Sequence, residues 1–346
     1  AKTTKTAGMV ARPVYHAVAL ILQHLHRLLD EVAAERRGRK PRNQPKTGRP
    51  RLYSTPSLLL FRIAADLLGW SLRKTLNYAE QEAGAWLRKA LGWEQVPHLS
   101  VVCRRLHGDD VRRLRTRLWR KLRRRSLRQG DLRVLTIDMT DLPVPLRRKD
   151  PDATWGATSK GKFFGYKLHL VISRTGFPLA FRVTPAAIHE MRPAVPLFAE
   201  VVKLADQKQK AELTYGAGDS AYDSENLYKF WADVCCGHFL CAPNRRGTPE
   251  GEEVRAQGPY RKAALEFWKT DLARRIYGKH RSLIESVNAQ LKDLSNPFQV
   301  GQIPGWIRGL RGVSDWVFWR ILAFSSILYA NRLRGSCSRK LSRFTA

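Results

Sequence analysis

Three carboxylates hold positions from which they could do chemistry together. Asp138 ends the apolar run Val134 to Ile137, Asp219 follows a weak strand signal at Leu213 to Gly218, and Glu285 sits on a helical stretch much further along. Ends of adjacent strands are where side chains converge. Three like charges within coordination distance repel and would protonate unless divalent cations fill the space between them. Hard oxygen ligands facing a phosphate suit Mg²⁺ or Mn²⁺, and two such ions can clamp the attacking and leaving oxygens of an in-line displacement at phosphorus. The pattern therefore points to nuclease-type chemistry, provided the fold gathers all three acids into one pocket.

The segment Tyr277-Gly-Lys-His-Arg281-Ser-Leu-Ile-Glu285-Ser-Val-Asn288-Ala-Gln-Leu-Lys292 sharpens this reading. Arg281, Glu285, Asn288 and Lys292 are spaced four, three and four, which puts them on one helix face. Ile284, Val287, Leu291 and Leu294 form a separate apolar stripe. A carboxylate flanked by cations can hold a metal while the cations hold strand phosphates. The same spacing also describes an ordinary salt-bridge ladder.

Competing chemistry is weaker. Gly156-Ala-Thr-Ser-Lys-Gly161-Lys162 imitates a phosphate-binding loop, but Phe163 stands where Ser or Thr is needed, so no nucleotide cofactor is expected. Cys235, Cys236, His238 and Cys241 are zinc-type ligands, yet adjacent cysteines on a strand suit a tetrahedral site poorly. His169 and His189 read as positioning or packing residues. The ten Trp are mostly core, with one of them free to stack on a flipped base. Asp141 and Asp223 compete with the assigned pair. Asp138 is preferred because it ends the apolar run, Asp219 because it directly follows the strand, and Asp223 is expected to cap a helix at Ser224.

The elements that must position these residues are legible in outline. Val134 to Ile137, Phe164 to Ser173 and Pro178 to Thr184 read as strands, the last two joined by the turn Arg174-Thr175-Gly176. A helix at Arg192 to Ala205, a strand at Leu213 to Gly218, a helix at Ser224 to Val234 and a strand at His238 to Ala242 follow. After a polar loop from Asn244 to Pro259 comes one long helix carrying Glu285. This order predicts a mixed sheet with helices packed on it. Residues 55–125, by contrast, show only helical spacing.

Charge separates the two halves. The 346 residues carry a formal +32, with 29 basic and 9 acidic side chains in residues 1–130 against 33 and 21 in 131–346. A polyanion is the partner this implies, while 43% hydrophobic residues exclude a wholly disordered basic tail. Arg36 to Arg51 holds six Arg and two Lys with Pro and Gly and no acid, and reads as an extended arm. Arg37, Arg39, Lys40, Arg42, Arg49 and Arg51 are its candidate DNA contacts, in a minor groove or along phosphates; a flexible basic linker is the bland alternative. In Val111 to Arg128 the positions Val111, Leu114, Leu118 and Leu122 form one apolar stripe, and ten Lys and Arg without an acid occupy the other faces. Arg113, Arg117, Arg120 and Arg124 are the candidate phosphate contacts there. The expected organisation is a helical DNA-binding region at 1–130 with its arm at 36–51, a catalytic domain at 131–333 and a basic tail at 334–346. Five irregularly spaced cysteines argue for a reducing compartment. Trp316 to Ala330 is short and carries Arg320, so it reads as a buried helix and not a membrane span. With no export signal evident, the expected place is the cytoplasm, on nucleoid DNA.

Four motifs in order, Leu135-Thr-Ile-Asp138-Met-Thr140, Gly165-Tyr-Lys-Leu-His169-Leu170, Gly218-Asp219-Ser-Ala-Tyr-Asp223-Ser224 and the Arg281, Glu285, Lys292 helix, resemble the DDE transposases of bacterial insertion sequences. The likeness spans about residues 131–333. It implies an α/β fold with a ribonuclease-H-like mixed sheet flanked by helices, here preceded by an all-α basic DNA-binding region. It further implies two Mg²⁺ ions, with Mn²⁺ able to substitute, held by Asp138, Asp219 and Glu285. The Tyr-Arg-Glu-Lys signature of the family falls on Tyr277, Arg281, Glu285 and Lys292, which implies contacts of Tyr277, Arg281 and Lys292 to transposon-end DNA, with Asn288 on the same face. Two departures stand out: three residues separate Tyr277 from Arg281 where two are usual, and His189-Glu190 replaces a common His-Asp. The implied activity is binding of terminal inverted repeats, hydrolysis at the ends and joining of the 3′-hydroxyl to target double-stranded DNA, by a homodimer assembled on DNA. A nuclease that cuts without joining, and a non-catalytic DNA-binding derivative, are the alternatives. Deleting residues 36–51 is expected to weaken DNA binding and flatten its salt dependence in an anisotropy titration; an unchanged slope would mean that the arm touches no phosphate.

Overall fold

A computed structural model describes residues 6–37, 52–144, 150–158, 161–245, 248–249, 252–292 and 303–336. The chain divides into two compact units, Ala1–Ser126 with Trp319–Ala346, and Leu127–Phe318.

The first unit contains α1 (Thr6–Arg37), α2 (Thr55–Leu68), α3 (Leu72–Glu80), α4 (Ala85–Leu91), α5 (Leu99–Leu106) and α6 (Asp109–Ser126). Helix α2 is its centre, with every residue from Ser57 to Leu67 except Arg62 buried. Ser54 caps it by accepting the Ser57 N–H at 3.1 Å, and Gly69 ends it in the left-handed region at φ 66°. The one acid inside it, Asp66, is neutralised by Arg62 and Arg320, each at 2.9 Å. Arg320 thus gives an apolar helix its internal ion partner. No helix among the described residues is long and apolar enough to cross a membrane.

Helix α6 corrects one expectation. Val111, Leu118 and Leu122 are buried and Leu114 is half-buried, as its stripe predicts, but its cations are not uniformly uncompensated. Lys121 pairs with Glu31 at 2.8 Å and Glu35 at 2.7 Å, both on α1, and Arg125 pairs with Glu31 at 2.7 Å. Arg115 and Arg123 are buried, their guanidinium groups 4.7 Å from the Trp319 ring and 3.8 Å from the Trp119 ring. The acids of α1 and the Trp319 ring come from elsewhere in the chain, which local spacing does not reveal, whereas Trp119 stands four residues before Arg123 on α6 itself. Arg113, Arg117, Arg120 and Arg124 remain exposed. In the arm, the Arg37 side chain and Arg39, Lys40, Arg42, Arg49 and Arg51 lie outside the described residues.

The second unit is built on a six-stranded sheet of β1 (Val134–Pro143), β2 (Thr154–Thr158), β3 (Gly161–Ile172), β4 (Pro178–Pro185), β5 (Tyr215–Ala217) and β6 (His238–Leu240). Strand β3 is antiparallel to β1 on one side and to β4 and β2 on the other, while β1, β5 and β6 are parallel. The connecting helices are α7 (Met191–Leu204), the short α8 (Gln207–Ala211) and α9 (Glu225–Cys235); α10 (Pro259–Trp268) and α11 (Asp271–Lys292) follow the sheet. Helix α12 (Gly309–Leu333) starts in this unit, and its residues from Trp319 onward belong to the first.

Three differences from the sequence reading have physical causes. Strand β1 continues past Asp138 to Pro143, because pairing with β3 runs from Thr136 opposite Ile172 to Pro143 opposite Gly165 and sustains polar residues there. Strand β2, unforeseen, pairs with the first half of β3. The expected single long helix is two, α10 and α11, separated at Lys269 and Thr270.

Parallel β5 is short and fully packed: a Cβ on Gly216 would lie 2.3 Å from Trp231 Cε2 and 2.5 Å from Phe239 Cδ2. Gly216→Ala is expected to destabilise the protein by about 2 kcal/mol, seen as a lower urea midpoint with unchanged slope. An unchanged midpoint would mean that the packing there yields freely.

Candidate active site

The parallel register brings the first two acids together. Thr136 of β1 lies opposite Ala217 of β5, and Asp138 and Asp219 each stand two residues further on. Side-chain alternation then puts both on one face of neighbouring strands whose backbones are about 4.8 Å apart. The chain keeps to this path past β5 because the Gly218 N–H bonds the Leu240 carbonyl at 3.1 Å.

Helix α11 packs against β1 and grips Asp138. Arg281 Nη1 donates to Asp138 Oδ1 at 2.9 Å, and the buried Asn288 donates from Nδ2 to Oδ2 at 2.8 Å. Arg281 Nε also pairs with Glu285 Oε1 at 3.0 Å, so one guanidinium joins the strand acid to the helix acid. The Glu285 side chain is 56% exposed. Lys292, one turn further, pairs with Asp141 of β1. The face predicted to carry Arg281, Glu285, Asn288 and Lys292 is therefore the one turned to the acids, with Ile284, Val287 and Leu291 buried behind it; Leu294 lies outside the described residues.

Asp219 caps the short 3₁₀ turn Ser220–Tyr222 by accepting the Ala221 N–H at 3.0 Å. Burial, and then the negative charge of Asp138, push its carboxyl up to about 6, with Arg281 opposing and Glu190 adding to the rise. Burial also raises Asp138 above the usual carboxylate range, against the pull of Arg281. Both shifts have the same main origin, burial of the carboxyl, and the shared cation Arg281 offsets only part of each.

Several neighbours were not foreseen as site residues. Glu190 pairs at 3.1 Å with Lys167 of β3, whose side chain is almost fully buried. Tyr222 is wholly buried beside the acids. A groove of about 1050 Å³ runs along the same edge, lined by Trp155, Lys162, Lys167, His189, Glu190 and Ala221. Tyr222 lies three residues after Asp219 in the same motif, which was the signal available for it, whereas Lys167 and Glu190 lie in segments that contain neither Asp138 nor Asp219 and are brought near by the fold.

The competitors have other partners. Asp223 does not cap α9, since Ser224 does so through the Leu227 N–H at 3.4 Å. Asp223 instead accepts a two-pronged contact from Arg261, 2.8 Å from Nε and 2.7 Å from Nη2. An acid already satisfied by a neighbouring helix is not available as a cap. His169 is buried, its Nε2 2.9 Å from Thr184 Oγ1, and burial pushes its pKa down to about 3, which leaves it neutral. Tyr277 packs edge-on to Trp268, ring centres 4.9 Å apart, and against the core of Ala217, Leu240 and Ala273. Cys241 shares a hydrogen bond with the Tyr228 hydroxyl at 3.0 Å.

Among the described residues no three His, Cys, Asp or Glu side chains form a group that could hold a metal ion. Asp138 and Asp219 nonetheless suit a hard divalent cation by donor type, burial and mutual repulsion. Glu285 would join them once the Arg281 guanidinium gives up its place between Asp138 and Glu285.

The raised pKa of Asp219 has a consequence for stability. Between about 4 and 6 the folded state binds a proton that the unfolded chain has lost, so stability falls as pH rises through that window. Asp219→Asn is therefore expected to stabilise the protein by about 1–2 kcal/mol at pH 7–8, after allowance for partial solvent access, with no gain below about pH 4. Urea melts across pH check this; a variant destabilised at pH 8 would contradict it.

Residues 129–296 match the family model of the transposase DDE domain. No curated protein and no solved structure matches the chain. The matched segment runs from just before β1 to just past α11, so over this stretch the chain is similar to the transposase DDE domain.

Proposed function

We propose that this protein is a DNA transposase of the insertion-sequence type carrying the Tyr-Arg-Glu-Lys signature, which binds terminal inverted repeats, hydrolyses phosphodiester bonds at the ends and joins the freed 3′-hydroxyl to target DNA. The observation that carries the reading is the matched-register pair Asp138 and Asp219 facing Arg281 and Asn288 of α11, all within the segment similar to the transposase domain. The strand order β4, β3, β1, β5, β6, antiparallel in its first three members and parallel in its last three, supports a ribonuclease-H-like core.

Asp138, Asp219 and Glu285 would hold two Mg²⁺ ions, with Mn²⁺ able to substitute. When bound, such ions supply charge stabilisation to the attacking and leaving oxygens of an in-line displacement. The chain's own residues do the positioning. Asn288 fixes the rotamer of Asp138 through Oδ2, while Oδ1 is held by Arg281. Arg281 neutralises the acids in the resting protein, then turns its guanidinium to a DNA phosphate, a ligand it can engage with two parallel hydrogen bonds. Lys292 does the same from Asp141. The exposed Arg113, Arg117, Arg120 and Arg124 of α6, and the arm at 36–51, supply phosphate contacts outside the catalytic unit. Two ends must be cut and joined together, so a homodimer on DNA is the working form.

Asp138→Asn, Asp219→Asn and Glu285→Gln are each expected to keep end-DNA binding and to lose Mg²⁺-dependent cleavage by about a hundredfold or more, because a bound cation contributes several kcal/mol at the transition state. A variant that cuts at near wild-type rate removes that residue from the set. Pre-cut ends offered with target DNA should yield joined product; cleavage without joining would identify a nuclease.

A further inference from the structure

Recognition of a particular terminal repeat needs more than phosphate contacts. Arginines such as those exposed on α6 position a duplex without reading it, and an arm in a minor groove separates little more than A·T from G·C. Base edges in the major groove are read by Arg, Asn and Gln, whose paired hydrogen-bonding atoms match guanine or adenine. The first unit presents these three residue types together at α3. Helices α2 and α3 are joined by Gly69, Trp70 and Ser71 alone. Gly69 and Trp70 donate their N–H groups to the Asp66 and Ala65 carbonyls at 3.2 and 3.0 Å, which closes α2. Ser71 then opens α3 by accepting the Lys74 N–H at 3.1 Å. The result is a helix pair with a three-residue, glycine-containing turn, the connection used by helix-turn-helix readers of DNA.

Thr75, Leu76 and Ala79 are buried on the inner face of α3, while Arg73, Lys74, Asn77 and Glu80 are exposed, as is Gln81 directly after the helix. Arg73 and Asn77 stand four apart on one face, and Gln81 follows at the same interval. Arg73, Lys74, Asn77 and Gln81 line one groove of about 370 Å³ beside Trp70 and Tyr78, and no acid among the described residues lines it. Both ends of the helix are anchored. Lys74 Nζ lies 4.8 Å from the Trp70 ring centre, and the Tyr78 hydroxyl donates to the Ala83 carbonyl at 2.8 Å and accepts from Trp86 Nε1 at 3.0 Å. We propose that α3 reads sequence, setting Arg73, Asn77 and Gln81 against base edges in the major groove of double-stranded DNA, with Lys74 on a flanking phosphate. Arg73 donates to O6 and N7 of a guanine; Asn77 and Gln81 each donate to N7 and accept from N6 of an adenine. The inference rests on the DNA-binding part of the proposed function and not on its chemistry at phosphorus.

Selection of bound duplexes from a random-sequence library tests this with the full chain, comparing wild type with Arg73→Lys, Asn77→Ala and Gln81→Ala. All three side chains are exposed, so thermal melting should show each variant as stable as wild type. Wild type should enrich a consensus. Each variant should lose about tenfold of the preference at its own position, a G·C pair for Arg73→Lys and an A·T pair for the other two. Binding to unrelated duplex and its salt slope should not change, because none of the three removes a charge. Lys74→Gln should instead weaken every duplex alike and lower the salt slope by about one. A consensus left intact by all three variants, or no consensus for wild type, would overturn the role of α3 while leaving DNA binding in place. A wild type that binds no duplex would overturn the proposed function and the role of α3 with it. A protein that selects the expected consensus yet cuts no DNA would remove the phosphodiester chemistry and keep α3 as the reader.

Discussion

The sheet unit depends on a like-charge constraint. Two carboxylates at matched positions of adjacent parallel strands, both desolvated, cannot stay ionised without a cation beside them. The resting protein meets that demand with Arg281. Its position explains why α11 lies against β1 with Asn288 turned inward, and why the helix acid Glu285 is joined to the strand acids through a guanidinium. A group that neutralises the pair from within the chain also prevents a third carboxylate from closing on it. In the proposed function, binding of a divalent cation and release of Arg281 would be two sides of one exchange, with a DNA phosphate as the guanidinium's destination.

Charge is handled the same way in the helical unit. A chain with a formal +32 must either pair its cations or leave them for a polyanion. Helix α6 does both: Lys121 and Arg125 are paired with acids of α1, Arg115 and Arg123 are spent on Trp rings, and four arginines stay exposed. The paired group helps hold the unit together, and the exposed group is the part the proposed function assigns to phosphates. Asp66 shows the converse, a single acid inside an apolar helix answered by two arginines.

How much of this was legible in the sequence depended on how local the determinant was. The β-branched and aliphatic run at 134–137, the turn at 174–176 and the apolar stripes of α6 and α11 are short-range signals, and the structure bears them out. The face of α11 was readable from spacing, but its partner was not. Spacing offered Arg281 only Glu285, four residues away, whereas the contact to Asp138 spans 143 positions and exists because of tertiary packing. The parallel register that sets Asp138 beside Asp219 is non-local for the same reason. Asp223 was misread as a cap because Arg261, 38 positions on, holds it from a helix that the sequence did not separate from its successor.

The most direct measurement is a Mn²⁺ titration of the full chain by water-proton relaxation, with and without end DNA, comparing wild type with the Asp138→Asn/Asp219→Asn double variant and with Arg281→Gln. The exchange predicts that wild type binds Mn²⁺ more tightly when DNA is present, that Arg281→Gln binds it tightly even without DNA, and that the double variant binds it in neither condition. Mn²⁺ bound equally by wild type and the double variant would contradict the account at its root.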